Sequence, residues 1–103
     1  MKRAAKIDDN QSAIVQHLRA IGCSVQSLAA VGKGVPDLLV GRRGVNSLIE
    51  IKDAAKTASR RKLTEDQVIW HKLWRGQISV AHTPAEAEAV VMVAEKWAES
   101  RTA

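Results

Sequence analysis

Between Asp9 and Ile21 the apolar residues Ala13, Ile14, Val15, Leu18 and Ile21 return every three or four positions, and Gly22 follows where a helix would stop. This spacing predicts a first helix. The period then changes. Cys23 to Leu28 sets Val25 and Leu28 among small polar residues and reads as a short strand. After the flexible Gly32-Lys33-Gly34 connection, Val35 to Gly41 reads as a second strand, opened by a proline where a strand tolerates one. Arg42-Arg43-Gly44 has turn character, and Val45 to Lys52 is a strong third strand whose apolar content comes from Leu48, Ile49 and Ile51.

Residues 53–63 are polar and basic and read as an exposed loop. In Thr64-Glu65-Asp66-Gln67 a hydroxyl is followed three positions on by glutamine, the capping-box pattern of a helix start. The helix it opens is expected to turn Val68, Ile69 and Leu73, with Trp70 or Trp74, toward the core. Gln77 to Ala81 reads as a fourth short strand, and Thr83-Pro84-Ala85-Glu86 starts a last helix that runs through Trp97. The order is α-β-β-β-α-β-α. The helix between the third and fourth strands requires a parallel crossover, whereas the short earlier connections favour antiparallel pairing. The expected fold is therefore α/β, a mixed four-stranded sheet flanked by helices, with residues 1–103 forming one domain.

Charge changes this picture by its position. The net charge is +5, and residues 33–62 hold eight basic and three acidic residues, against four and two before them and four and six after. A basic middle flanked by neutral and acidic stretches suits a polyanion, although a solvated basic loop would look the same. Three Trp and no Phe or Tyr make a single-strand stacking platform a poor expectation; the tryptophans read better as core or dimer-interface residues. No apolar run reaches membrane-spanning length and no signal-peptide pattern follows the basic start, so the expected location is the cytoplasm. Cys23 has no partner for a disulfide and reads as a small buried apolar residue.

The chemistry lies where polar residues interrupt the apolar strands. Residues two apart on a strand share a face, so Glu50 and Lys52 point together, away from Ile49 and Ile51. A hairpin with Asp37 opposite Glu50 centres its connection on a two-residue turn at Arg43-Gly44. Two facing carboxylates repel unless something offsets them. A divalent cation would do so, and carboxylate and carbonyl oxygens are hard ligands suited to Mg²⁺ or Mn²⁺. Lys52 beside them could stabilise charge on a phosphoryl oxygen or position an attacking water. The bland alternative is a strand that opens on Pro36-Asp37 and an exposed Glu50–Lys52 charge pair.

Pro36-Asp37, twelve residues, then Glu50-Ile51-Lys52 resembles the bipartite signature of the PD-(D/E)xK nuclease superfamily, whose common core is the restriction-endonuclease-like fold. More narrowly, residues 34–41, 48–53 and 62–67, with Trp70-His71 and Trp74-Arg75-Gly76-Gln77, resemble the stand-alone phage and bacterial VRR-NUC domain. The resemblance implies metal ligation by Asp37, Glu50 and the Ile51 carbonyl, Lys52 as the catalytic lysine, and Gln67 facing the site. It implies a Holliday junction resolvase-like homodimer acting on branched DNA, in a bacterial or phage-infected cell. Relatives often place a glutamate on the first helix; this chain has Asp9-Asn10-Gln11 there instead. Lys33, Lys56, Arg60, Arg61 and Lys62 are the candidate DNA contacts. His71, one helical turn after Gln67, is a candidate neighbour of the site, though a lone histidine is more often a surface or satisfied core group. Two other readings remain open: a non-catalytic nucleic-acid-binding protein on the same fold, and an RNA endonuclease.

Overall fold

The computed structural model describes residues 9–56, 58 and 62–102, so Arg60 and Arg61 lie outside the described residues. Helix α1 spans Gln11–Ala20 and buries Gln11, Ile14 and Leu18. It stops at Gly22, whose φ of +93° only glycine adopts without strain. Strands β1 (Ser24–Ser27) and β2 (Leu38–Arg42) pair antiparallel, as do β2 and β3 (Val45–Ile51). The β2–β3 ladder joins Leu38 to Ile49 and Arg42 to Val45, the register expected from the strand pattern. Arg43 and Gly44 form the turn, with φ of 51° and 78°, the paired left-handed conformation that suits a two-residue hairpin. Helix α2 (Glu65–Leu73) carries the chain over to β4 (Ser79–Ala81), which lies parallel to β3 at the sheet edge, and α3 (Pro84–Thr102) follows.

Alternation divides the sheet into two unlike faces. Leu38, Val40, Ile49, Ile51 and Ala81 form the core with Ile14 and Leu18 from α1 and Ala87 and Val91 from α3. Each fully buried Leu or Ile there contributes about 1.5–3 kcal/mol by leaving water. Leu39, Leu48, Glu50 and Lys52 belong to the opposite face, toward which α2 turns.

Three expectations are corrected here. Arg42 is not in the turn but closes β2: its Nε donates to the Ile21 carbonyl at 2.9 Å and its Nη1 to Glu95 at 2.8 Å, tying the sheet to both packed helices. More importantly, Val68, Ile69 and Leu73 do not face the core; Leu73 is 72% exposed, and α2 buries no residue fully. Gln67, Trp70 and His71 are its partly buried positions. Their spacing of three and four puts them on one side, so the polar Gln67 and His71 occupy the face that periodicity reserved for apolar residues. Strand β2 also begins later than expected, at Leu38, because Pro36 has no N–H for the ladder.

Candidate active site

The site is built at the end of the β2–β3 hairpin. One step beyond the Leu38–Ile49 pair, Asp37 comes opposite Glu50. The Asp37 carboxylate does more than face it: Oδ2 accepts the Ile51 backbone N–H at 2.7 Å, replacing a ladder bond with a side-chain one. The Asp37 carbonyl meanwhile accepts the Leu28 N–H at 2.8 Å, which anchors its backbone to the end of β1. Glu50 is 1% exposed and Lys52 7%. The Lys52 ammonium stands 4.0 Å from Glu50 Oε2, and its backbone N–H reaches the Ala81 carbonyl of β4. Burial removes the bland reading of an exposed charge pair.

Gln67 reaches the same carboxylate from α2. Its Nε2 donates to Glu50 Oε2 at 3.0 Å, while its Oε1 accepts the Thr64 N–H at 2.9 Å and its backbone N–H meets Thr64 Oγ1 at 3.2 Å. The capping box thus fixes the amide, and both of its ends are satisfied only in this orientation. Helix α2 is held in place partly by Gly34. A Cβ there would come within 2.3 Å of the Asp66 carbonyl oxygen, and φ at Gly34 is +82°.

Two further groups border the site. Burial pushes the pKa of His71 down, and the Lys52 ammonium adds to the effect, so the imidazole stands neutral beside the lysine; its Nε2 is buried without a hydrogen bond. Asn10 is a clamp that sequence spacing did not reveal. Its Nδ2 donates to the Lys52 carbonyl at 3.2 Å and the His82 carbonyl at 2.8 Å, gathering the ends of β3 and β4. The Oδ1 of Asn10 and the Oε1 of buried Gln11 are enclosed without hydrogen-bond partners.

Of the basic residues expected to contact DNA, Lys33, Lys56 and Lys62 are among the described residues. Lys33 is exposed beside Trp70 and Trp74, and Lys62 is exposed just ahead of α2. Lys56 is engaged by Asp9, Nζ to Oδ2 at 2.8 Å. The remaining candidates for chemistry have structural tasks: His17 meets Glu88 at 2.6 Å, His82 meets Glu86 at 2.8 Å, and Cys23 is buried with its thiol pushed up by burial.

The donor set fits a hard divalent cation. Asp37 and Glu50 offer carboxylate oxygens and Ile51 a carbonyl. Among the described residues no three His, Cys, Asp or Glu side chains converge. That suits Mg²⁺ or Mn²⁺, which keep several waters, better than a closed zinc site. A facing acid pair, Glu50 buried and Asp37 half-buried, thus sits with lysine and glutamine at one end of a mixed four-stranded sheet of restriction-endonuclease-like α/β fold.

Comparison with known proteins narrows the class. The chain is similar to a solved structure described as a VRR_NUC domain, with a TM-score of 0.60 and 26% identity over 80% of this chain and 89% of that one. That likeness bears out the resemblance to the VRR-NUC family read from the sequence. No family model matches the chain, and no curated protein does.

Proposed function

We propose that this chain is a metal-dependent, structure-selective endonuclease that hydrolyses phosphodiester bonds of branched DNA such as Holliday junctions. The observation that carries the reading is the facing pair of half-buried Asp37 and buried Glu50, held by Ile51 N–H and Gln67, with Lys52 beside it. Asp37, Glu50 and the Ile51 carbonyl would hold Mg²⁺ or Mn²⁺, which supplies charge neutralisation at the scissile phosphate and a more acidic water. Lys52 presents its ammonium where negative charge develops on the phosphoryl oxygens. Gln67 orients the Glu50 carboxylate. Lys33 and Lys62 contact backbone phosphates, with Arg60 and Arg61 assigned to the same task from sequence; Lys56 joins them only by leaving Asp9.

Branched substrate is supported by the absence, among the described residues, of a helix-turn-helix or other base-reading unit. A homodimer is supported by the face of α2. Leu73 is largely exposed and Val68 and Ile69 half exposed on a helix that also carries Gln67, with half-exposed Trp74 just past its end, so a second copy seated there would bring two sites close together. The Trp-bearing α2 therefore fits the dimer role expected of it better than the core role.

The deciding assay compares linear duplex, flap, four-way junction and structured RNA, with and without Mg²⁺ or Mn²⁺. Cleavage of RNA alone would favour an RNA endonuclease, and binding without cleavage a non-catalytic protein. Sedimentation at micromolar concentration, with Leu73→Glu as the interface variant, tests the dimer: a strict monomer with and without junction DNA leaves a nicking enzyme.

A further inference from the structure

Away from the active site, α3 leaves a second apolar surface uncovered. Val93 is 68% exposed and Trp97 61%. Together with Val90 they floor an open groove of about 790 Å³ between α3 and the chain leading into β4, where Ser79 also lines it. Arg75 and Arg101 line the same groove, and no carboxylate does. These two arginines differ from Arg42 and Arg43, which both engage Glu95, in having no carboxylate partner among the described residues. The strand beside the groove, β4, is outermost in the sheet, so one side of its backbone has no neighbouring strand.

We propose that this groove docks an acidic, aliphatic peptide segment of a partner protein, laid in extended form along β4. Each component of such a segment has a counterpart: the main chain pairs with the open strand edge, alternate aliphatic side chains cover Val90, Val93 and the edge of Trp97, and carboxylates meet Arg75 and Arg101. Arginine pairs with carboxylates through two parallel hydrogen bonds, which gives direction as well as attraction. The other occupants match less well. The Arg101 guanidinium lies 4.6 Å from the Trp97 ring centroid, so that face of the indole is already covered against a stacking base. Duplex DNA offers phosphates to the arginines but nothing apolar to the floor. A twofold copy centred here would bring Arg75 and Arg101 toward their own equivalents, a like-charge contact. The segment would tether the nuclease to another protein without touching its catalytic end, so the inference stands whether or not the proposed cleavage is correct.

The test uses the intact chain and three labelled decapeptides, alternating Asp-Leu, Lys-Leu and Asp-Ser, read by fluorescence anisotropy, with a labelled twelve-nucleotide single strand as a fourth probe. The Asp-Leu peptide is expected to bind at least about tenfold more tightly than either other peptide, and Arg75→Glu/Arg101→Glu or Val93→Asp to weaken it about tenfold or more, a loss of at least 1.4 kcal/mol. Thermal unfolding of these surface variants should match the parent. Equal binding of all three peptides, or binding that survives both variants, overturns the proposal. So does a single strand held through the same two arginines, or a dimer that Val93→Asp dissociates in sedimentation.

Discussion

Gln67 Nε2 donates to Glu50 Oε2 at 3.0 Å while the other end of the same amide caps the first turn of α2 on the Thr64 N–H. One side chain therefore joins helix initiation to carboxylate orientation. Gln67→Glu separates the two tasks, because glutamate still accepts from Thr64 but sets a third carboxylate against Glu50. The variant should keep its helix content by circular dichroism, unfold at lower temperature, and lose cleavage. Gln67→Ala should lose the cap as well, at a cost of about 1 kcal/mol. Parental cleavage by Gln67→Glu would show that the contact has no part in turnover.

Asp37→Asn keeps an oxygen for the Ile51 N–H, so the fold should survive while the cation site loses charge. We expect no cleavage, near-parental DNA binding, and unchanged or slightly raised metal-free stability because like-charge repulsion is relieved. Glu50→Gln should also stop cleavage. Full parental activity in excess chelator would rule out the metal requirement.

Lys52→Ala should lower turnover on the order of a hundredfold or more with little change in binding, because charge on the phosphoryl oxygens is greatest in the transition state. Single-turnover rates at saturating enzyme separate the two effects. A parental rate with weakened binding would make Lys52 a phosphate anchor.

Gly34→Ala should damage activity from outside the site. Its Cβ would press on the Asp66 carbonyl, and its backbone is left-handed, so α2 must move or the loop must strain. We expect reduced cleavage, and amide exchange that rises first at residues 65–68. Parental cleavage would mean that α2 tolerates the displacement.

His71 makes stability depend on pH in a defined direction. Its pKa is depressed in the folded chain by burial and then by Lys52, so folding favours the neutral ring. That contribution is complete above the ordinary histidine value of about 6.5 and is lost as pH falls toward the folded value, where the unfolded chain still binds the proton more readily. Denaturant midpoints between pH 7.5 and 5 should fall more steeply for the parent than for His71→Gln. Parallel curves would remove His71 from the account.

Much of this was legible in the sequence, for identifiable reasons. The β2–β3 register followed from two constraints that agree, the alternation of Glu50 and Lys52 with Ile49 and Ile51, and a turn at Arg43-Gly44 that admits left-handed residues. Thr64 and Gln67 announced their helix start through local hydrogen bonding, which spacing records. The orientation of α2 was legible only through the family resemblance that implied Gln67 facing the site, not through its apolar periodicity. Its apolar residues surround the helix, and period alone does not say that the inward side belongs to Gln67 and His71. Nor could spacing show Asn10 joining the ends of β3 and β4, or Asp9 occupying Lys56 across 47 positions of sequence. Those contacts exist only once the sheet has formed.

The two-residue turn at Arg43-Gly44 also has a bearing on how the chain reaches this structure. A hairpin closed by neighbours in sequence forms on the microsecond scale, ahead of pairings that must first close long loops. Asp37 and Glu50 would then meet early, before the β3–α2–β4 crossover delivers Gln67 and before β4 arrives to receive the Lys52 N–H. For that interval the future site is a pair of repelling acids with few compensating contacts. The hairpin is fast to close and electrostatically opposed at its open end, so it should zip from Arg43-Gly44 outward, and the catalytic end should be the last part of the ladder to become protected from exchange.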